Sequence, residues 1–274
     1  MPANVRYQPC LTACSAGDLS LVRLGQNFLA DPNLLAAIVR EAGPEPGDVV
    51  LEVGGGDGAL TAELAPLVAT LHVIELDRRL RPALERVAAQ YPGVELHFAD
   101  AMRFDLSALE PAPDRMVANL PYAIATPLIL RTIACLPGLG SWTLLVQREI
   151  ADRLRAAPGS RTYGSPSVLV QLSCEVRLLR TIDRAVFKPR PRVDSALLRL
   201  ERIGPAADPR VASLVRDAFA HRRKSLARSL EHARPGSRDR ARAALADLGL
   251  AEDARAERLG PAEFAALAEA LDGR

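Results

Sequence analysis

Val49-Val50-Leu51-Glu52-Val53, followed at once by Gly54-Gly55-Gly56-Asp57-Gly58, constrains this chain more than any other stretch. The first five residues are almost all aliphatic and show no polar alternation, which reads as a strand buried on both faces. The glycines then admit backbone conformations that a side chain would forbid. From Ala59 to Val68 apolar residues recur at helical spacing. A strand, a glycine turn and a helix in this order predict a parallel α/β unit.

The following segments continue the alternation. Leu71 to Leu76 reads as a second strand, Arg79 to Gln90 as a helix, Val94 to Phe98 as a third strand and Met116 to Leu120 as a fourth. Thr143 to Val146, Ser167 to Arg177 and Val193 to Leu200 are three further strand candidates. Ahead of the first strand, Asp31-Pro32 is a cap with proline at the first helical position, and the helix it opens is expected to run to about Ala42. Residues 1–22 show no period and read as a loose extension. After Ile203, Gly204-Pro205 and Asp208-Pro209 punctuate the chain and everything beyond reads helical. The expected fold is therefore α/β: a Rossmann-like domain with a mostly parallel sheet over residues 1–203, and a small all-α domain over residues 204–274.

Charge is distributed unevenly between these parts. The formal charge is only +2, yet Arg216 to Arg242 holds nine basic and three acidic side chains, and Arg177 to Arg202 eight and three. Basic surface gathered in the second half suits a polyanion such as nucleic acid. Cys10, Cys14, Cys135 and Cys174 form no closely spaced doublets, so neither a zinc site nor a disulfide framework is expected. No run of 18 apolar residues occurs and no cationic start precedes an apolar stretch, so a cytoplasmic protein with neither membrane span nor signal peptide is expected.

Candidate site residues fall at strand ends. Gly54, Gly56 and Gly58 let backbone amides approach a nucleotide-like ligand, and Glu75 closes the second strand 21 residues after Gly54, where a carboxylate can accept from both ribose hydroxyls. That pair fits dinucleotide and S-adenosylmethionine enzymes alike. Asp100, in Phe98-Ala99-Asp100-Ala101-Met102, either accepts from an adenine amine or caps its own loop. Gly54, Glu75 and Asp100 on adjacent strands share one rim, and Asn119-Leu120-Pro121-Tyr122 follows on the next strand end. An exocyclic amine conjugated to a purine is a poor nucleophile, so a site that methylates it must hold the nitrogen lone pair out of the ring. The Asn119 side-chain oxygen and the Leu120 carbonyl can accept its two hydrogens, Pro121 fixes the turn, and Tyr122 offers a ring for stacking.

The residues quoted above, with Leu24-Gly25-Gln26-Asn27-Phe28-Leu29, Pro158-Gly159-Ser160-Arg161-Thr162-Tyr163-Gly164, Phe187-Lys188-Pro189-Arg190-Pro191-Arg192-Val193-Asp194-Ser195-Ala196 and Phe219-Ala220-His221-Arg222-Arg223-Lys224-Ser225-Leu226, resemble the ribosomal RNA adenine dimethyltransferase family. The resemblance covers roughly residues 24–270 and is closer to the small-subunit branch. It departs at Gly55, where the family usually has proline, a change expected to loosen the turn entropically without blocking it.

The resemblance implies S-adenosylmethionine as cofactor, with contacts at Asn27, Leu29, Gly54, Glu75, Asp100 and Asn119, and with Gly56 and Ala101 beside them. It implies two neighbouring adenosines in a hairpin near the 3′ end of small-subunit RNA as substrate, a nearly assembled small ribosomal subunit as partner, and no metal. Phe187 is expected as a second stacking face opposite Tyr122, and Arg190, Arg192, Arg222, Arg223, Lys224 and Arg228 as phosphate contacts. The free protein is expected to be monomeric. The branch that methylates large-subunit RNA and confers macrolide resistance is the close alternative. A nicotinamide-dependent oxidoreductase, a DNA adenine methyltransferase and an assembly factor that acts chiefly by binding are more distant ones.

Overall fold

The computed structural model describes residues 28–29, 31–188 and 190–272; the extension over residues 1–22 and the candidate contact Asn27 lie outside them. The elements, in chain order, begin with β1 (Phe28–Leu29), α1 (Pro32–Ala42), β2 (Val49–Val53), α2 (Ala59–Leu64), β3 (Thr70–Glu75), α3 (Arg81–Ala88), β4 (Val94–Phe98) and β5 (Arg115–Asn119). They continue with α4 (Ala125–Cys135), β6 (Ser141–Gln147), α5 (Arg148–Leu154), α6 (Ser165–Gln171), β7 (Cys174–Ile182), β8 (Phe187–Lys188) and β9 (Ser195–Arg202). Four helices follow: α7 (Pro209–Phe219), α8 (Leu226–Ala233), α9 (Arg238–Asp247) and α10 (Pro261–Asp272).

Seven strands form one sheet in the order β4-β3-β2-β5-β6-β9-β7. β4 through β6 are parallel, whereas β9 runs antiparallel to both β6 and β7. From β2 the chain winds outward through β3 to β4, then returns to the other flank of β2 as β5. Ligands of open α/β sheets bind where the winding reverses, beyond the carboxyl ends of the strands. Here that crevice opens between β2 and β5.

Apolar side chains cover both faces of the sheet. Leu34, Leu35 and Ile38 of α1, with Leu60 and Leu84, pack on one face; Leu128, Ile129 and Ile133 of α4, with Leu154, pack on the other. The expected start of α1 is realised, since the Asp31 carboxylate accepts from the Asn33 amide at 2.9 Å and Gly43 ends the helix in the left-handed region.

The candidate strand Ser167 to Arg177 is instead two elements. Its first half is α6, opened by Pro166 in the first turn and by Ser167 Oγ accepting from the Gly164 amide at 3.0 Å. The aliphatic run Val168-Leu169-Val170 is too short to carry a period that separates helix from strand, so packing decides. Val168 and Leu169 face the C-terminal helices, and together with Ala156 and Tyr163 they share one apolar cluster with Leu214, Leu226, Phe264 and Leu267. No helix among the described residues is long and apolar enough to cross a membrane.

Candidate functional site

A cleft of about 380 Å³ opens at the carboxyl ends of β2, β3, β4 and β5. Leu29, Gly54, Gly56, Glu75, Asp100, Ala101, Asn119, Leu120, Pro121 and Tyr122 all line it. These are the described members of the expected cofactor set and four of the five expected catalytic positions. The topology brings together residues spread over 94 positions because each lies at or just past a strand end, or on β1 above them.

The glycine turn forms the floor. Gly54 and Gly56 have φ of +85° and +58°, a region that residues with Cβ rarely enter. The Glu75 carboxylate holds the turn in place: Oε2 accepts from the Gly56 amide at 3.0 Å and Oε1 from the Asp77 amide at 2.7 Å. Each oxygen retains a second lone-pair direction for a ligand hydroxyl. Gly55 packs closely against β3 and α3. A Cβ there would lie 2.5 Å from Val73 Cγ1 and 3.0 Å from Leu84 Cδ2, so in this chain a side chain at the second turn position is blocked by packing.

Glu52 was not singled out from sequence, though a carboxylate inside an aliphatic strand is a visible signal. It is 1 % exposed, lines the cleft, and accepts from the Thr61 hydroxyl at 2.7 Å. Burial pushes its pKa up to about 8, a shift opposed by the Thr61 bond and reinforced by the Glu75 and Asp57 charges. Asp100 caps its own loop at the edge of the cleft. It faces the cleft, and its Oδ1 accepts from the Met102 amide at 2.9 Å while Arg103 approaches within 3.6 Å.

Beyond β5, the Leu120 amide donates to the Leu145 carbonyl at 3.0 Å, so the backbone stays anchored to β6 one residue past the strand. Pro121 then turns the chain over Gly54. The Tyr122 hydroxyl pairs with Ser195 Oγ at 2.8 Å, and burial raises the phenol pKa. Ser195 lies within the quoted motif but received no role from sequence. Phe187 requires a correction. Its ring is 2 % exposed in the apolar cluster with Leu34 and Ile38, and its backbone pairs with Leu29 in the β1–β8 ribbon, so it backs the wall of the cleft without lining it.

The profile of the family described as ribosomal RNA adenine dimethylase matches residues 20–272. The chain belongs to this family. A ribosomal RNA small subunit methyltransferase A from Rubrobacter xylanophilus is 46% identical over 248 residues, covering 89% of this chain and 92% of that protein. One of the same name from Thermobifida fusca is 41% identical, with 98% and 94% covered. Among solved structures, a dimethyladenosine transferase from Plasmodium falciparum superposes with a TM-score of 0.74 at 26% identity, covering 88% of this chain and 95% of that one. The 23S rRNA methyltransferase ErmE superposes with a TM-score of 0.67 at 31% identity, covering 90% and 100%.

The basic stretches of this adenine dimethylase-family chain do not act alike. Arg190 and Arg192 line a shallow polar groove with Arg148, Arg184 and Thr162, interleaved with Glu149, Asp152, Asp183 and Asp194. Arg223 and Arg228 are exposed and have no side-chain partner among the described residues, whereas Lys224 Nζ pairs with His232 Nε2. Arg222, expected among the phosphate contacts, is half-exposed and already has partners within the protein. Its guanidinium donates to the Arg161 and Tyr163 carbonyls at 2.7 and 2.8 Å and to Glu257 at 3.3 Å, so it clasps the loop before α6 to the C-terminal helices. The same loop supplies Thr162 to the groove, which brings the two basic stretches to one neighbourhood.

Proposed function

We propose that this protein dimethylates the exocyclic amines of two adjacent adenosines in a hairpin near the 3′ end of 16S rRNA, in the nearly assembled small ribosomal subunit, as a step coupled to subunit biogenesis. The observation that carries the reading is the convergence of Gly54, Glu75, Asp100 and Asn119 on one cleft, with Leu120 to Tyr122 at its mouth. The small-subunit relatives are 46% and 41% identical, against 31% for the large-subunit enzyme, which favours the small-subunit branch.

The cleft fits S-adenosylmethionine. Its volume suits a nucleoside-sized ligand, the glycine turn admits close approach, and the Glu75 and Asp100 carboxylates offer acceptors for ribose hydroxyls and an adenine amine. Leu29, Gly56 and Ala101 complete the set we assign to it. When bound, this cofactor supplies a methyl group on a positively charged sulfur.

The target base leaves its hairpin at an unstacking cost of a few kcal/mol. Stacking on Tyr122 offsets about 1 to 3 kcal/mol of that cost. We assign Asn119 and the Leu120 carbonyl as acceptors of the amine hydrogens, holding the lone pair out of the purine π-system. The alkylated nitrogen is acidic enough to lose its proton to water, so no side chain is assigned as general base. A second methylation needs one acceptor to give up its partner. Phe187 supports the ribbon that carries Leu29. Arg190, Arg192, Arg223, Lys224 and Arg228 form the phosphate-binding surface, which positions the RNA without reading its sequence. The helices after residue 204 present part of this surface, and we treat 1–203 and 204–274 as catalytic and RNA-binding units of a protein that is monomeric when free and acts in the cytoplasm.

The test is transfer of labelled methyl from S-adenosylmethionine to undermethylated small subunits, with large-subunit RNA and duplex DNA as parallel acceptors and nucleoside analysis of the product. Dimethyladenosine in small subunits alone, lost in Asn119→Ala, is the expected result. Label in large-subunit RNA would move the protein to the other branch, and label in none would overturn the reading.

A further inference from the structure

A second cluster of chemistry-bearing side chains lies outside the cleft, at the β3–β4 edge of the sheet. His72 of β3 and Glu95 of β4 are directly paired across the parallel ladder, and His97 stands two residues along β4 on the same face. Such neighbours bring side-chain tips together. His72 Nδ1 is 3.2 Å from Glu95 Oε2 and 3.3 Å from His97 Nε2, and one donor atom from each residue falls within 4.8 Å of the other two. None of the three lines the cleft.

The His72 tautomer is set by its other nitrogen. Nε2 lies 2.9 Å from the Pro111 carbonyl oxygen, which can only accept, so Nε2 carries a hydrogen. In the neutral ring Nδ1 is then a bare lone pair, buried at 0 % exposure and aimed at a carboxylate. This lone pair faces both the Glu95 carboxylate and His97 Nε2, so either a proton, from His97 Nε2–H or on His72 itself, or a metal ion can sit among the three.

We propose that His72, Glu95 and His97 form a binding site for one zinc-class divalent ion, which ties the edge strand to its neighbour and to the connection between β4 and β5. Three features support this. Bonds of about 2.0 to 2.1 Å in a tetrahedral site place ligand atoms about 3.3 Å apart, the spacing seen from His72 Nδ1 to its two partners. Two imidazoles and a carboxylate suit zinc over magnesium or calcium. The Pro111 carbonyl is the outer partner that orients a ligating histidine.

A fourth position is left for water, and Glu95, 45% exposed, leaves a path for entry. The consequence is positional: Asp100 follows His97 by three residues, and Pro111 belongs to the segment leading from Asp100 to β5, so the ion would stiffen the rim that carries Asp100. The site takes no part in methyl transfer and does not depend on that reading.

The test uses the full chain without an affinity tag, stripped with a chelator, then titrated with Zn²⁺ by calorimetry and with Co²⁺ by absorption. One ion per chain is expected, with the cobalt d–d bands of a tetrahedral nitrogen and oxygen set and no thiolate charge-transfer band, which separates this site from the four cysteines. Glu95→Ala and His97→Ala should each weaken Zn²⁺ binding by at least about 100-fold, and Zn²⁺ should raise the melting temperature of the parent chain only. Glu95→Ala alters an exposed side chain and keeps the test readable if His97→Ala fails to fold. Absence of binding, a thiolate band, or affinity unchanged in the variants would each reduce the cluster to hydrogen-bonded histidines and overturn the proposal.

Discussion

The Tyr122 hydroxyl and Ser195 Oγ lie 2.8 Å apart although 73 residues separate them in sequence, so the tilt of the ring at the mouth of the cleft is set by β9. A net hydrogen bond of about 1 kcal/mol corresponds to roughly a fivefold effect. Ser195→Ala should therefore lower kcat for methyl transfer by about 5- to 10-fold and leave cofactor affinity, measured by calorimetry, unchanged. Tyr122→Phe should match it, and the double variant should add little, as expected for two ends of one interaction. Additive losses would show that the two side chains act separately.

Gly55 faces Val73 and Leu84, which are 1 % and 0 % exposed. Gly55→Ala should destabilise the protein by about 1 to 3 kcal/mol, the usual cost of overpacking. Denaturant unfolding reads this directly. Val73→Ala in the same chain should recover part of the loss, because the nearest contact is its Cγ1 at 2.5 Å.

Glu52 predicts a pH dependence. Its carboxyl is raised from 4.5 to about 8 in the folded protein, so between those values the native state holds a proton that the unfolded chain has released. The stability from this proton is fully present below pH 4.5 and is lost as pH rises through about 8, with a slope of at most about 1.4 kcal/mol per pH unit from this group. Glu52→Gln should flatten that part of the stability profile, measured by chemical unfolding at successive pH values. A profile unchanged by the substitution would place the titration elsewhere.

Arg222 and its neighbours should separate in their phenotypes. Removing Arg222 takes away two hydrogen bonds to backbone carbonyls and the contact with Glu257, so Arg222→Ala should lower stability by about 1 to 3 kcal/mol. Arg223→Ala and Arg228→Ala should leave unfolding within about 0.5 kcal/mol. Each should instead weaken binding to small subunits and reduce the dependence of log affinity on log salt by about one. Thermal unfolding and binding isotherms at several salt concentrations check the two halves.

Much of the α/β architecture was legible because its signals are local. Aliphatic runs, glycines that need positive φ and a proline after a capping aspartate act within a few residues, and the strand ends bearing Gly54, Glu75, Asp100 and Asn119 fell where the pattern put them. Segment 167–177 failed for the complementary reason: a three-residue aliphatic run has no period, and the C-terminal helices decided its conformation. The blocked position at Gly55 was equally hidden, since only the distant Val73 and Leu84 close it.

The sequence by itself determined the strand–turn–helix repeat, the rim of carboxylates and the position of Asn119 to Tyr122, all consequences of backbone preference and of side-chain order along one strand after another. Tertiary structure alone decided that Ser195 holds Tyr122, that Phe187 is buried behind the cleft wall, that Arg222 binds backbone carbonyls of the loop before α6, and that His72 meets Glu95 and His97. Each depends on which elements pack together. A residue's type states what its side chain can bond, and the packed fold supplies the partner.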